Sequence, residues 1–332
     1  MPDIILSVQS LTKNFTIRSA ASLFGHRQIL RAVNDISFEV ARGETLALVG
    51  ESGCGKSTTG RMIIRLIDPT SGKIVFNGQD ITSFKGKQLK AVRKKIQMVF
   101  QDPYASLNPR MNISANVGEP LVIHGLVSNT KERDALVREL LSEVGLDPDY
   151  ASRYPFEFSG GQRQRIGIAR ALSLSPEIII ADEPVSALDV SLQAQIINLM
   201  KELRDKKGLT YIFIAHDLAV VRHLANRVAV MYLGKIVEIA DKKEIFDNPL
   251  HPYTKALFSS IPIPDPTKRR KKAPLQGDVP SPISPPQGCL FHTRCAFAKE
   301  RCSIEEPKLI EASAGHKVAC HFYFSIEKSM QI

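Results

Sequence analysis

Gly50-Glu51-Ser52-Gly53-Cys54-Gly55-Lys56-Ser57 follows an apolar run, Thr45 to Val49, and opens a helical pattern from Lys56 to about Ile67. G-x-x-x-x-G-K-S between a strand and a helix is the spacing of a phosphate-binding loop. Each residue type has a task there. The glycines let the backbone wrap so that its N–H groups face a polyphosphate. The helix start adds N–H donors without intrahelical partners and a partial positive charge. Lys56 can reach the β- and γ-phosphates, and the Ser57 hydroxyl can ligate Mg²⁺. An ordinary glycine-rich turn needs neither the strand before it nor the helix after it. The stretch therefore predicts a nucleoside triphosphate site made by Gly50, Ser52, Gly53, Cys54, Gly55, Lys56, Ser57 and Thr58.

The remaining 300-odd positions fit a soluble globular chain. At 332 residues, two units are the first expectation. Hydrophobic residues make up 43% and charged residues 23%, both ordinary for such a protein. No run approaches the ~18 apolar residues of a spanning helix. Met1-Pro2-Asp3 lacks a basic-then-apolar leader pattern, so a cytoplasmic chain is expected, with any membrane link made through a partner. A net charge of +10 invites nucleic acid or anionic lipid as partners. No Lys/Arg block is interleaved with aromatics, so nucleotide phosphates and scattered surface lysines account for it better. No nucleic-acid partner is expected. Of five cysteines, Cys54 lies in the loop and Cys289, Cys295, Cys302 and Cys320 lie together near the C-terminus. In a cytosolic chain such clustering points to metal rather than disulfides.

Short apolar runs alternate with helical patterns along most of the chain. Strands are expected at Ile4–Leu11, Ala32–Val40, Thr45–Val49, Lys73–Phe76, Ile96–Phe100, Ile178–Ala181, Tyr211–Ala215, Val228–Tyr232 and Lys235–Ala240. Asn77-Gly78 is a hairpin-type turn signal. Asn129 to Glu132 reads as a capped helix start, with Ala135, Leu136, Leu140, Leu141 and Val144 as one apolar face and Gly145 as a stop. Helices are also expected from Gly161 to Leu174 and from Ser191 to about Lys207. This alternation predicts an α/β fold with a mostly parallel sheet covered on both faces. Residues 261–287 hold eight prolines and the basic run Lys268 to Lys272, which read as an extended linker. The expected plan is a nucleotide-binding domain over 1–260 with a helical subdomain at about 102–175, the linker 261–287, and a cysteine-bearing module over 288–332.

Two further motifs carry chemistry. Ile178-Ile179-Ile180-Ala181-Asp182-Glu183-Pro184 puts two carboxylates at the end of a buried strand. Downstream of a phosphate loop, Asp182 suits Mg²⁺ and Glu183 suits polarising an attacking water. Phe158-Ser159-Gly160-Gly161-Gln162 is a second glycine element opening a helix, and so a second anion site. With one phosphate loop already in the chain, a neighbour's nucleotide best explains it.

Ser-Gly-Gly-Gln-Arg-Gln-Arg (159–165) resembles the signature motif of the ATP-binding-cassette (ABC) ATPases. The resemblance implies that Ser159, Gly160, Gly161 and Gln162 of one subunit close over the γ-phosphate held by another. It also implies a Q-loop role for Gln101, sensing γ-phosphate and Mg²⁺, and a D-loop for Ser186-Ala187-Leu188-Asp189 that crosses the dimer interface. His216 resembles the switch histidine that contacts γ-phosphate, and Phe15 the aromatic that stacks on adenine. Aromatics in β patches usually pack, so a core role for Phe15 stays open. Gln101-Asp102-Pro103-Tyr104-Ala105-Ser106-Leu107-Asn108-Pro109, His251-Pro252-Tyr253-Thr254 and the cysteine tail are similar to the oligopeptide/dipeptide importer ATPases, most like the second of their two paired ATPase subunits.

That resemblance implies a P-loop NTPase cassette of the α/β class. It would have a mixed or parallel sheet with flanking helices, an antiparallel β subdomain, a helical subdomain and a small C-terminal cysteine-rich module. It implies a peripheral subunit on the cytoplasmic face of the inner membrane. Its partners would be two transmembrane permease subunits, a second homologous ATPase subunit and, indirectly, an extracytoplasmic peptide-binding protein. Nickel importers carry similar subunits, so the cargo stays open. The cysteines are spaced by five, six and seventeen residues without a tight C-x₂₋₄-C knuckle. Four thiolates suit zinc or an iron–sulfur cube, and the wide gaps together with the resemblance favour [4Fe–4S]. His292, His316 and His321 are alternative ligands. The rival class is a soluble cassette ATPase acting on nucleic acid, supported mainly by the net charge. A binding module that no longer hydrolyses would need a lost catalytic residue, and none is lost.

Overall fold

A computed structural model of the chain describes residues 3–18, 27–259 and 277–325. Residues 261–276 of the expected linker, including Lys268 to Lys272, lie outside the described residues. The strands, in chain order, are β1 (Ile4–Arg18), β2 (Arg27–Ala41), β3 (Thr45–Val49), β4 (Ser71–Phe76), β5 (Gln79–Asp80), β6 (Ile96–Val99), β7 (Ile178–Asp182), β8 (Thr210–Ala215), β9 (Arg227–Tyr232), β10 (Lys235–Asp241), β11 (Ile310–Ser313) and β12 (His316–Val318). The chain divides into two compact units. One holds Met1–Asp3, Ala41–Thr45 and Ser83–Ala215; the other holds Ile4–Val40, Leu46–Thr82 and His216–Ile332.

In the first unit β6, β7 and β8 are parallel, with Ile178 opposite both Ile96 and Thr210. Ile178-Ile179-Ile180-Ala181-Asp182 is buried throughout, as a parallel strand covered on both faces must be. The helix Val190–Lys207 starts where Asp189 accepts the Leu192 N–H and ends at Gly208, whose φ of 65° suits glycine. Ile196, Met200 and Leu203 recur at helical spacing on its buried side. The helices Ile113–Ile123, Thr130–Glu143 and Gly160–Leu172 lie in this unit too. Asn129 caps the second of these, accepting the Glu132 N–H at 3.0 Å, as expected. The buried stripe of that helix is Val137, Leu141 and Val144, whereas Ala135 is exposed. Of the expected face, Leu141 and Val144 are buried and Leu136 and Leu140 half-buried, but its centre is shifted from Ala135 towards Val137: the stripe follows i, i+4, i+7 from Val137, and a single alanine methyl costs little to leave in water.

The second unit carries an antiparallel sheet in the order β2-β1-β4-β5, with Leu6 opposite Phe76 and Val8 opposite Ile74. β1 and β2 run well past the short strands expected from the sequence. Asn77-Gly78 makes the predicted turn between β4 and β5, both residues at positive φ (48° and 75°). β3 pairs with β9 in parallel. From there the sheet turns antiparallel: β9 with β10, β10 with β12, and β12 with β11. This corrects the mostly parallel sheet expected from the strand–helix alternation and agrees with the mixed or parallel sheet that the family resemblance implies. The C-terminal strands add to the sheet of this unit, with Val318 opposite Glu238. The helix after the loop stops at Ile63 rather than Ile67, because Arg65 enters the left-handed region at φ 58°. Among the described residues no helix is long and apolar enough to cross a membrane.

Candidate active site

β3 is buried along its length and delivers the chain to Gly50, where the backbone turns at φ 150°. A Cβ on Gly50 would sit 2.2 Å from the Met231 carbonyl oxygen, and one on Gly55 (φ 105°) would sit 2.3 Å from that of Ala32. Only glycine fits at either position. Lys56 is 4% exposed, and its Nζ donates to the carbonyls of Gly50 (2.8 Å) and Glu51 (3.0 Å). The ammonium is thus held against the backbone of its own loop. Ser57 and Thr58 are half-buried in the first turn of the helix, while Ser52 and Gly53 are exposed. Burial pushes the Cys54 thiol up against the opposing pull of the Lys56 charge, so it packs as a neutral sulfur.

Glu51 is held at three points. Its N–H donates to the Tyr253 hydroxyl at 2.9 Å, and its carbonyl accepts from Lys56. Its carboxylate accepts from both terminal nitrogens of Arg294, at 2.7 and 3.0 Å. Those hydrogen bonds, ahead of burial acting in the opposite direction, raise the Arg294 pKa and keep its guanidinium charged. In the same unit, Phe15 is half-buried with the Lys13 ammonium 5.0 Å over its ring. His216 is exposed just after β8, and the next residue, Asp217, caps the following helix.

In the first unit β7 ends at Asp182, 2% exposed, and Glu183 follows at φ 47°. A glutamate in the left-handed region is strained unless its surroundings hold it there. Here the Glu183 N–H donates to the Ile214 carbonyl, and its own carbonyl accepts from the Ser186 N–H and hydroxyl. Its carboxylate accepts from the Gln101 side-chain amide at 3.0 Å. Gln101 and Glu183, 82 residues apart, are therefore brought together. The second glycine element forms a reciprocal capping box: the Ser159 hydroxyl accepts the Gln162 N–H, and the Gln162 side chain accepts the Ser159 N–H. Asp189 caps the helix Val190–Lys207.

Two family profiles match this chain: one described as ABC transporter over residues 33–186, the other as oligopeptide/dipeptide transporter, C-terminal region, over 237–302. The oligopeptide transport ATP-binding protein AppF of Bacillus subtilis is 56% identical over 326 residues, covering 97% of this chain and 98% of AppF. The chain belongs to the ABC transporter ATPases. A probable peptide ABC transporter ATP-binding protein of Sinorhizobium fredii, y4tS, is 53% identical over 97% of this ABC ATPase and 90% of the relative. Among solved structures, the ATP-binding cassette MJ0796, described as a dimer in a post-hydrolysis state bound to ADP and Pi, aligns with TM-score 0.62 at 31% identity. That alignment covers 71% of this chain and 98% of MJ0796.

Near the C-terminus the cassette gathers Cys289, Cys295, Cys302 and Cys320 around one small cavity, with His292, His321 and Phe291 also on its wall. Burial, and then the neighbouring thiols, push Cys289 up to about 12 and Cys320 up to about 11; Cys295 is raised for the same reasons. Thiols so placed stay protonated at neutral pH unless a cation draws the protons off, and four sulfurs form the donor set of a thiolate-ligated metal. Among the described residues, however, no three His, Cys, Asp or Glu side chains converge to the geometry of a formed metal site. Of the alternative ligands, His316 turns away to the buried carboxylate of Glu238 at 2.7 Å. In the sequence Tyr253 stands within His251-Pro252-Tyr253-Thr254 without a role of its own, and no local signal marks Arg294. Glu51 and Arg294 are 243 positions apart, and no local pattern pairs them.

Proposed function

We propose that this chain is the ATP-hydrolysing subunit of an importer of di- or oligopeptides. The observation that carries the reading is near-full-length identity to AppF, an oligopeptide transport ATP-binding protein, joined to the matched oligopeptide/dipeptide C-terminal region. The active pair is head to tail, and the description of MJ0796 as a dimer bound to ADP and Pi supports it. Lys56 and the N–H groups of Gly50 to Thr58 hold the phosphates of ATP, and Phe15 stacks on the base. Ser159 to Gln162 and Asp189 act on the nucleotide of the facing subunit. Glu183 draws a proton from the attacking water, with Gln101 and His216 positioning the γ-phosphate. The water oxygen bonds to the γ-phosphorus, the bond to the β,γ-bridging oxygen breaks, and ADP and phosphate leave. Loss of the phosphoryl group that joined the subunits lets them part.

Ser57, Gln101 and Asp182 offer the hydroxyl, amide and carboxylate oxygens that Mg²⁺ takes, and the buried carboxylate of Asp182 is the donor a hard cation favours. Bound there, the cation supplies charge neutralisation on the phosphates. Cys289, Cys295, Cys302 and Cys320 hold a [4Fe–4S] cluster in a structural role; their shared cavity supports this. Purified chain with brown absorbance, iron and sulfide is the expected result, and zinc alone would refute the cluster.

The domain plan is a nucleotide-binding domain over 1–260, the linker 261–287 and the metal module 288–332. The subunit works at the cytoplasmic face of the inner membrane. It pairs with a second, related ATPase subunit beneath two permease subunits, and a peptide-binding protein outside delivers the cargo. Residues Gln101 to Pro109 transmit opening and closing to the permeases.

The decisive experiment is Glu183→Gln in the assembled complex. ATP binding should persist while hydrolysis and peptide uptake both fall by at least about a hundredfold. Turnover at the parent rate would remove Glu183 from its role. Parent-level ATP hydrolysis with no peptide uptake, but with uptake of nickel, would reassign the cargo.

A further inference from the structure

The motif His251-Pro252-Tyr253-Thr254 and the segment carrying Arg294 lie far along the chain from the phosphate loop, yet both end on Glu51. Glu51 is the first residue after the opening glycine of that loop, and it is an acid. An uncompensated carboxylate there would repel the phosphates that the loop must hold. Arg294 meets it with both terminal nitrogens, its own side chain only 5% exposed and that of Glu51 23%. A bidentate pair shielded from water fixes direction as well as charge.

The holder is itself held. The Arg294 guanidinium lies 5.9 Å from the centre of the Tyr232 ring, which packs against Tyr253 and Phe291 at 4.7 and 5.3 Å. Tyr253 is fully buried, and its hydroxyl accepts the Glu51 N–H at 2.9 Å. The start of its helix, Pro252–Ser259, is tied down in turn. The buried carboxylate of Glu238 accepts the N–H groups of Leu250 and His251, and the His251 Nδ1 accepts the Tyr253 N–H. The Gly50–Glu51 peptide is therefore gripped on its N–H side by Tyr253, and its carbonyl, that of Gly50, takes the Lys56 ammonium at 2.8 Å.

We propose that Arg294 and Tyr253 are positioning residues for ATP binding. Arg294 cancels the charge of Glu51, and Tyr253 sets the peptide plane on which Lys56 rests. The C-terminal region thereby sets how well the phosphate loop receives an anion. This rests on the reading of the chain as an ATPase and adds two residues that touch no substrate.

The test uses the full-length chain and measures MgATP affinity directly, together with KM and kcat for hydrolysis. Arg294→Gln should weaken MgATP binding by about tenfold, raising KM more than it lowers kcat, because the Glu51 carboxylate is left uncompensated. Glu51→Gln/Arg294→Gln removes both charges and should restore affinity to within about threefold of the parent. A purely structural role for Arg294 would give no such recovery. Arg294→Lys keeps the charge but loses the fork and should fall between parent and Arg294→Gln. It also supplies a folded variant if Arg294→Gln proves insoluble. Tyr253→Phe should weaken binding by about threefold with kcat unchanged. Parent affinity in Arg294→Gln, or a double variant no better than the single one, overturns the proposal. A parent chain that fails to bind MgATP at all would instead overturn the ATPase reading.

Discussion

The two glycine elements of this chain are built in opposite ways. The loop 50–57 is shaped by residues far away in sequence: carbonyls of Met231 and Ala32 press on Gly50 and Gly55, and Tyr253 and Arg294 hold Glu51. The element 159–162 is shaped by itself, through the Ser159–Gln162 box, and its glycines meet only side chains, Leu188 near Gly160 and Leu192 near Gly161. An element that serves its own subunit can be set rigidly by its own fold. In the proposed head-to-tail pair, the element that serves a neighbour has to present itself outward and keep its shape from local bonds.

Substitutions can break or sharpen this contrast, beginning with the most severe. Gly50→Ala should abolish measurable MgATP binding. The atom its Cβ meets is a backbone carbonyl at 2.2 Å, and the φ of 150° disfavours any side chain, so the loop must deform. Binding at parent affinity would show that the loop is softer than its contacts imply. Lys56→Ala should weaken binding by at least about tenfold, through loss of a charge-assisted contact; titration with a non-hydrolysable ATP analogue reads this. Ser159→Ala should leave MgATP affinity of the isolated chain intact but cost about 1 kcal/mol in chemical denaturation, the usual worth of an N-cap. Gly161→Ala should change stability by no more than about 0.5 kcal/mol, since the closest Leu192 atom, at 3.2 Å, can yield and alanine favours a helix.

The same contrast separates what the sequence makes legible from what it does not. Strand-loop-helix order, the Asn77-Gly78 turn, the Asn129 cap and the all-apolar run of β7 are local patterns, and each reads directly. The mixed character of the sheet entered only through the family resemblance, because nothing in β10 or β12 announces which neighbour it will find or in which direction. The helix face at Ala135 was misjudged because alanine is apolar yet small enough to sit on either side. Glu183 reads as the carboxylate that polarises an attacking water by its place after a buried strand. Its left-handed backbone is held by a tertiary bond to Ile214 as well as by the local turn to Ser186, and the first of these no sequence pattern shows. The Glu51–Arg294 pair joins positions that no periodicity connects.

The pairing of β12 onto β10 has a practical bearing on how the cysteines should be studied. Cutting the chain before Cys289 would strip β12 and bare a row of N–H and C=O groups on β10, beside the apolar Ile236 and Ile239. Such an open margin invites neighbouring molecules to stack on it, so a shortened protein would clump whatever its sulfurs once held. Serine replacements at single cysteines keep that margin sealed and isolate the chemistry of the thiols.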